Sequence, residues 1–171
     1  GTKMFGIGGR AFTRSVERDL ETTFDQAENM KLALSKNAVS GKTKEQIEKA
    51  LNKTVKVWMS GVELALEEFK GLDHLPHNIL LCGGGASLDL LVDELEQSSW
   101  YRELPFAKKP TVKYISPDTV IGIIDITEKL DDHTFITAMG LLRVGLDTIG
   151  QNEEIDETVT IRDRINRILR I

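Results

Sequence analysis

The run LLCGGGASLDLL, residues 80–91, places three consecutive glycines, Gly83, Gly84 and Gly85, between an apolar segment and an amphipathic one. Before them, HNILLC has the length and composition of a short buried strand. After them, SLDLLVDELEQ carries Leu88, Leu91, Val92 and Leu95 at helical spacing, which predicts a helix starting near Ser87. Strand, glycine turn and helix in that order point to an α/β architecture.

The glycines themselves call for a cause. No Lys-Ser/Thr pair follows at the spacing of a phosphate-wrapping loop, and the pattern is not G-x-G-x-x-G, so neither common nucleotide loop fits. Two readings remain. One is a tight turn with close strand–helix packing. The other is a bare backbone approached by a flat or charged group, with the start of the Ser87 helix offering amide donors and positive dipole potential to an anion.

Upstream, MFGIGG reads as a strand ending in a turn, and Thr13 as the cap of a helix whose Val16, Leu20 and Phe24 recur every four residues. Thr23 with Gln26 forms a capping box, so a second helix is expected from there to about Leu34. Ala27, Met30 and Leu34 share one face of it, which leaves Glu28 and Lys31 as i, i+3 neighbours on another. SKNAVSGK is a polar connection. Thr43 with Gln46 then opens a long amphipathic helix through Ile47, Leu51, Val55, Trp58, Val62, Ala65 and Phe69, with Gly71 placed to stop it.

Downstream, PTVKYIS sets Val112 and Tyr114 in alternation with Lys113, and TVIGIIDI is a second β-rich run; both are expected to be strands. TFITAMGLLRVGLDTIG predicts a helix with Phe135, Met139, Leu142, Leu146 and Ile149 on one side and Gly150 as its stop. QNEEIDET is an acidic linker. TIRDRINRILRI places Ile161, Ile165, Ile168 and Leu169 on one helical face and Arg162, Arg167 and Arg170 mostly on the other, with Arg164 interrupting the apolar face. Arginines flanking an isoleucine face suit an anionic bilayer, and a final helix packed on its own domain is the alternative.

Composition narrows the function classes. With 40% hydrophobic and 29% charged residues, the chain of 171 residues is long enough for one good core. A net charge of -5 argues against nucleic acid as the main partner. Cys82 is the single cysteine, so no intrachain disulfide forms and a reducing compartment is expected. It is read as a buried, small apolar residue, since nothing basic adjoins it. No apolar stretch reaches the roughly 18 residues of a membrane span, and no signal peptide is visible. His74 and His77 flank a proline in a loop and His133 stands alone, which reads as solvated histidines and no metal site. Trp58 is read as core or helix contact, Trp100 and Tyr101 as a partner surface or lid. The opening residues look like the middle of a longer protein, and an excised part is expected.

GGRAFTRSVERDLETTFDQAENMKLALS, then ILLCGGGASLDLLVDEL, then FITAMGLL, resembles in that order the actin-like ATPase superfamily. More narrowly, the chain is similar to the nucleotide-binding second half of the bacterial FtsA and PilM proteins, up to about Leu142. The resemblance implies one lobe of the actin-like (ribonuclease H-like) fold, a mixed sheet flanked by helices with a small helical insertion. It implies a second large subdomain begun by residues 1–36 and completed by 78–150, an insertion at 37–77, and an acidic linker with a basic amphipathic helix at 151–171.

In that family ATP lies between two large subdomains, and the second contributes an adenosine pocket from the A-E-x-x-K helix and the G-G-G-A loop. Carried over, Glu28 and Lys31 meet the ribose and base, and Gly83, Gly84 and Gly85 let the nucleotide pack on backbone, with Ser87 at the following helix start. ATP or ADP with magnesium is then the cofactor of the full-length parent, with FtsZ or another assembly protein and self-polymerisation as its interactions. The chain would be cytoplasmic, with Ile161, Arg162, Ile165, Arg167, Ile168, Leu169 and Arg170 touching the inner face of the membrane. A PilM-like pilus or secretion scaffold is the first alternative, and a structural module that binds no nucleotide the second.

The departures matter as well. The first phosphate hairpin and the acidic residues that position magnesium and water belong upstream, and the D-x-G element expected just before Lys3 is not here. Half an active site and no turnover by this chain alone are expected. Residues 43–69 read as helix where FtsA carries strands, so no filament or FtsZ-tail contact is assigned to named residues.

Overall fold

The structure, a computed structural model, describes residues 1–69, 71–97 and 99–151. Two compact units divide it, one ending at Ile115 and the other beginning at Ser116.

The first unit begins without the strand expected of MFGIGG. Met4 is 95% exposed, and Phe5 instead lies against Gly61, where a Cβ would come within 3.0 Å of its ring. Helix α1 (Gly9–Asp19) starts four residues before Thr13, with Gly8 as its extended N-cap. Thr13 is therefore not a cap. It is fully buried in the second turn, and its hydroxyl bonds back to Gly9 O at 3.0 Å. The buried face is Phe12, Thr13, Ser15 and Val16, and Leu20 ends the helix as its C-cap.

Helix α2 (Phe24–Ser35) opens with the expected capping box: Thr23 Oγ1 accepts from Gln26 N, and Gln26 Oε1 accepts from Thr23 N, each at 3.3 Å. It closes on Asn37 at φ +52, with Ala38 N bonded to Ala33 O and Asn37 N to Leu34 O, which caps the last carbonyls. Helix α3 (Gly41–Glu67) starts two residues before the expected Thr43, behind Ser40, and no side chain caps it. It ends at Glu67, short of Phe69, and Gly71 lies beyond its C-cap at φ +86.

Ile47, Ala50, Leu51 and Val55 of α3 pack with Phe12 and Val16 of α1 and with Ala27 and Leu34 of α2 in one core. Ser15 Oγ, also buried, donates to Ala50 O at 2.8 Å and ties α1 to α3. Helix α3 thus shares one core with α1 and α2.

Strand β1 (Asn78–Leu81) pairs in parallel with β2 (Thr111–Tyr114), Asn78 opposite Thr111 and Leu81 opposite Tyr114. Between them run a 3-10 turn (Gly84–Ser87), helix α4 (Asp89–Gln97) and a second 3-10 turn (Trp100–Glu103). The architecture is thus helix-rich α/β. Among the described residues the sheet has two strands and is parallel rather than mixed. β1 is not buried as expected, since Leu80 is 58% exposed. A second core joins Met59, Leu75, Leu95, Trp100 and Leu104, with Trp58 bordering both cores. Trp100 is core and not a partner surface: its indole N–H donates to Leu95 O at 3.0 Å, and Phe106 meets its ring edge-on at 5.6 Å.

In the second unit, TVIGIIDI forms no strand. Ile121, Ile124 and Ile126 are 87%, 88% and 90% exposed, and among the described residues no strand pairs with them. β propensity without a partner leaves the backbone unpaired, so the run stays irregular. Asp125 orders it locally, its carboxylate accepting from Thr127 N, Lys129 N and Leu130 N at 2.8 Å each. Helix α5 (Ile136–Gln151) runs through Gly150, which is no stop, and begins after Phe135. Met139 is buried, but Leu142 and Leu146, expected on the same covered side, are 55% and 42% exposed. No helix among the described residues is long and apolar enough to cross a membrane.

Candidate functional site

Glu28 and Lys31 sit one turn apart on α2, and the packing of α1 on α2 decides what they touch. Lys31 is 8% exposed, and an ammonium that deep needs acceptors. It has three: Gly9 O at 3.2 Å, Thr13 Oγ1 at 2.9 Å and Glu28 Oε2 at 2.8 Å. Thr13 Oγ1 also contacts Glu28 Oε2. With one proton, the hydroxyl donates either to that carboxylate or to Gly9 O, while it accepts from Lys31.

The bond from Lys31, and next that from Thr13, hold the Glu28 carboxyl below its ordinary range against the opposing effect of burial. The Glu28 side chain is 34% exposed, so the charge is held at the protein's edge. Among the described residues, its side-chain bonds all go to Oε2.

The glycine turn lies opposite. Glu28, Lys31, Gly84 and Gly85 line one cleft of about 210 Å3, with Gly9, Leu32, Ser35 and Leu88 completing its wall. Four of the six residues expected to share a half-site are therefore brought together. Gly83 and Ser87 do not line the cleft.

The three glycines have different causes. Gly83 has φ +83 and ψ 164, a conformation that favours glycine. Gly84 and Gly85 have no positive φ, and a Cβ on either would meet no protein atom within 4 Å. Neither backbone strain nor packing requires them to be bare.

The expected anion site at Ser87 takes a different form. Ser87 ends a 3-10 turn, and α4 starts at Asp89, whose carboxylate stands in the first helical turn. A negative side chain already complements the amide end there. Tyr114 Oη donates to Ala86 O at 3.1 Å, which ties the end of β2 to the turn; burial, followed by the charges of Asp89, Asp93 and Glu96, raises its phenol.

A second cleft of about 200 Å3 shares Gly9 and Gly85 with the first and is apolar, walled by Ile7, Phe12, Trp58, Leu81 and Leu91. Cys82 lines it and is exposed, which corrects its expected burial: the short strand ends at Leu81 and leaves the thiol beyond the sheet.

Thr13 is the member of the site that sequence reading missed. A hydroxyl on the apolar face of α1, between Phe12 and Val16, was the available signal. Among the described residues no group of three His, Cys, Asp or Glu side chains could hold a metal ion. The expected membrane-contacting residues, Ile161, Arg162, Ile165, Arg167, Ile168, Leu169 and Arg170, lie outside the described residues. No protein-family model matches the chain, and neither a curated protein nor a solved structure matches it significantly.

Proposed function

We propose that Gly1–Ile115 is part of the nucleotide-binding lobe of an FtsA-like, actin-family scaffold, and that the cleft between α2 and the glycine turn takes the adenosine of ATP or ADP. The observation that carries this reading is the meeting of Glu28 and Lys31 with Gly84 and Gly85 around one cleft. Glu28, held in its charged form, is an acceptor for ribose hydroxyls. Bare backbone at Gly84 and Gly85 leaves room for a flat base.

The cleft of about 210 Å3 is below the ~300–1,000 Å3 of complete ligand pockets, as suits half a site. The phosphates and their magnesium are held, in this reading, by residues outside this cleft. In this reading the parent polymerises, engages FtsZ or another assembly protein, and reaches the inner membrane surface through residues 161–170. A PilM-like pilus or secretion scaffold would use the same cleft, and a pull-down with the FtsZ tail separates the two.

The test is an amide NMR titration with Mg-ATP and Mg-ADP. Shifts confined to residues around Glu28, Lys31 and 83–85 are expected. Silence at millimolar nucleotide, both here and in the longer parent, would sink the reading.

A second reading has its own observation. Every proton of the Lys31 ammonium has an acceptor within the chain, so α1, α2 and the lysine already form a closed joint. A purely structural interaction module would show the same joint and no nucleotide response.

A further inference from the structure

We infer that Thr13 and Lys31 are positioning residues for Glu28, and that Glu28 alone among the three reaches the ligand. The inference rests on the nucleotide reading above for its ligand and on geometry for the rest.

Lys31 is buried, and its ammonium spends its three donors on Gly9 O, Thr13 Oγ1 and Glu28 Oε2. A ligand would gain a bond to Lys31 only by breaking one of these, which would take a donor from the network. Thr13 is 0% exposed and equally enclosed, so it has no route to a ligand. Glu28 and Lys31 both line the cleft, but they differ in exposure: the Glu28 side chain is 34% exposed and the Lys31 side chain 10%. Both fixed partners hold Oε2, which leaves Oε1 to accept from outside.

The arrangement also selects ligand chemistry. An ionised carboxylate accepts and never donates, so the group it meets carries hydroxyl or amine protons rather than phosphate oxygens.

The test compares Thr13→Val, which keeps shape and removes the hydroxyl, with Thr13→Ser, which restores it. The Glu28 carboxyl is followed by 13C NMR against pH, and binding is read with AMP as probe. Thr13→Val is expected to move the Glu28 titration upward and weaken AMP roughly tenfold; Thr13→Ser is expected to return both towards the unaltered chain. In the unaltered chain the Lys31 Cε resonance should stay fixed through the AMP titration.

An unmoved Glu28 titration in a well-folded Thr13→Val chain would overturn the positioning role. A large Lys31 shift with AMP would overturn it too, and that readout stands even where the valine variant does not fold. Absence of any AMP response both in the unaltered chain and in the longer parent would remove the nucleotide reading instead, with the Glu28 titration still deciding whether Thr13 positions the carboxylate.

Discussion

Lys31 Nζ lies 2.8 Å from Glu28 Oε2, with the lysine side chain 10% exposed and the glutamate 34%. The pair straddles the boundary between the α1–α2 core and the cleft. Removing the cation takes the donor from Thr13 Oγ1 and leaves the Thr13 hydroxyl as the side-chain donor to Gly9 O. Lys31→Met should therefore destabilise the fold by roughly 1–3 kcal/mol, less than for a fully buried pair because water reaches Glu28. Urea denaturation measures this, and an unchanged midpoint would show that the network adds nothing to stability.

The same contact gives a pH dependence. Glu28 is lowered in the folded chain, so its contribution is present above the unfolded value, near 4.5, and is lost as pH falls through the folded value. Chemical denaturation from neutral pH down to about pH 3 should show stability falling in Glu28 chains and falling less in Glu28→Gln.

Gly83 and Gly84 should respond oppositely to alanine. At φ +83 and ψ 164, Gly83→Ala should cost roughly 1–3 kcal/mol. Gly84→Ala meets no protein atom and should leave stability within about 0.5 kcal/mol, while reducing binding of any ligand that rests on the turn. Thermal melts of the two variants, followed by nucleotide titration of the second, check both statements.

Asp125 should titrate far below a free carboxylate. The hydroxyl of Thr127 first, then the amides of Leu130, Thr127 and Lys129, hold its pKa down to about 2 from 3.8. The loop's hydrogen bonds are then intact above pH 3.8 and are lost as pH falls through about 2. Carboxyl NMR reads this directly, and a midpoint near 3.8 would contradict the bonding described.

Cys82 is exposed at the mouth of an apolar cleft. It should react with an aromatic disulfide reagent in the native chain to one equivalent without denaturant. A thiol that reacts only after unfolding would show that the cleft is closed in solution.

Much of the fold was legible locally. The capping box at Thr23 and the apolar stripe Ile47, Leu51 and Val55 are set by neighbours in sequence and formed as expected; β1 and β2 formed by pairing with each other, with β1 more exposed than expected. The errors share one cause. The Thr13 hydroxyl suits a helix cap, yet its side-chain partners are Lys31 and Glu28 on another helix. Ile121, Ile124 and Ile126 looked like a strand, but a strand exists only where another pairs with it.

The candidate site divides in the same way. The spacing of Glu28 and Lys31 on one helix follows from 3.6 residues per turn, and the glycine run marks a turn between strand and helix; residue order alone indicates both. Which glycine is needed for its φ, which are bare for want of any protein neighbour, and that the turn faces Glu28 at all were settled by packing of α1, α2, α3 and Leu88 into one core. Contacts between residues far apart in sequence arise from how apolar faces bury against one another, and no local pattern encodes the partner of a face.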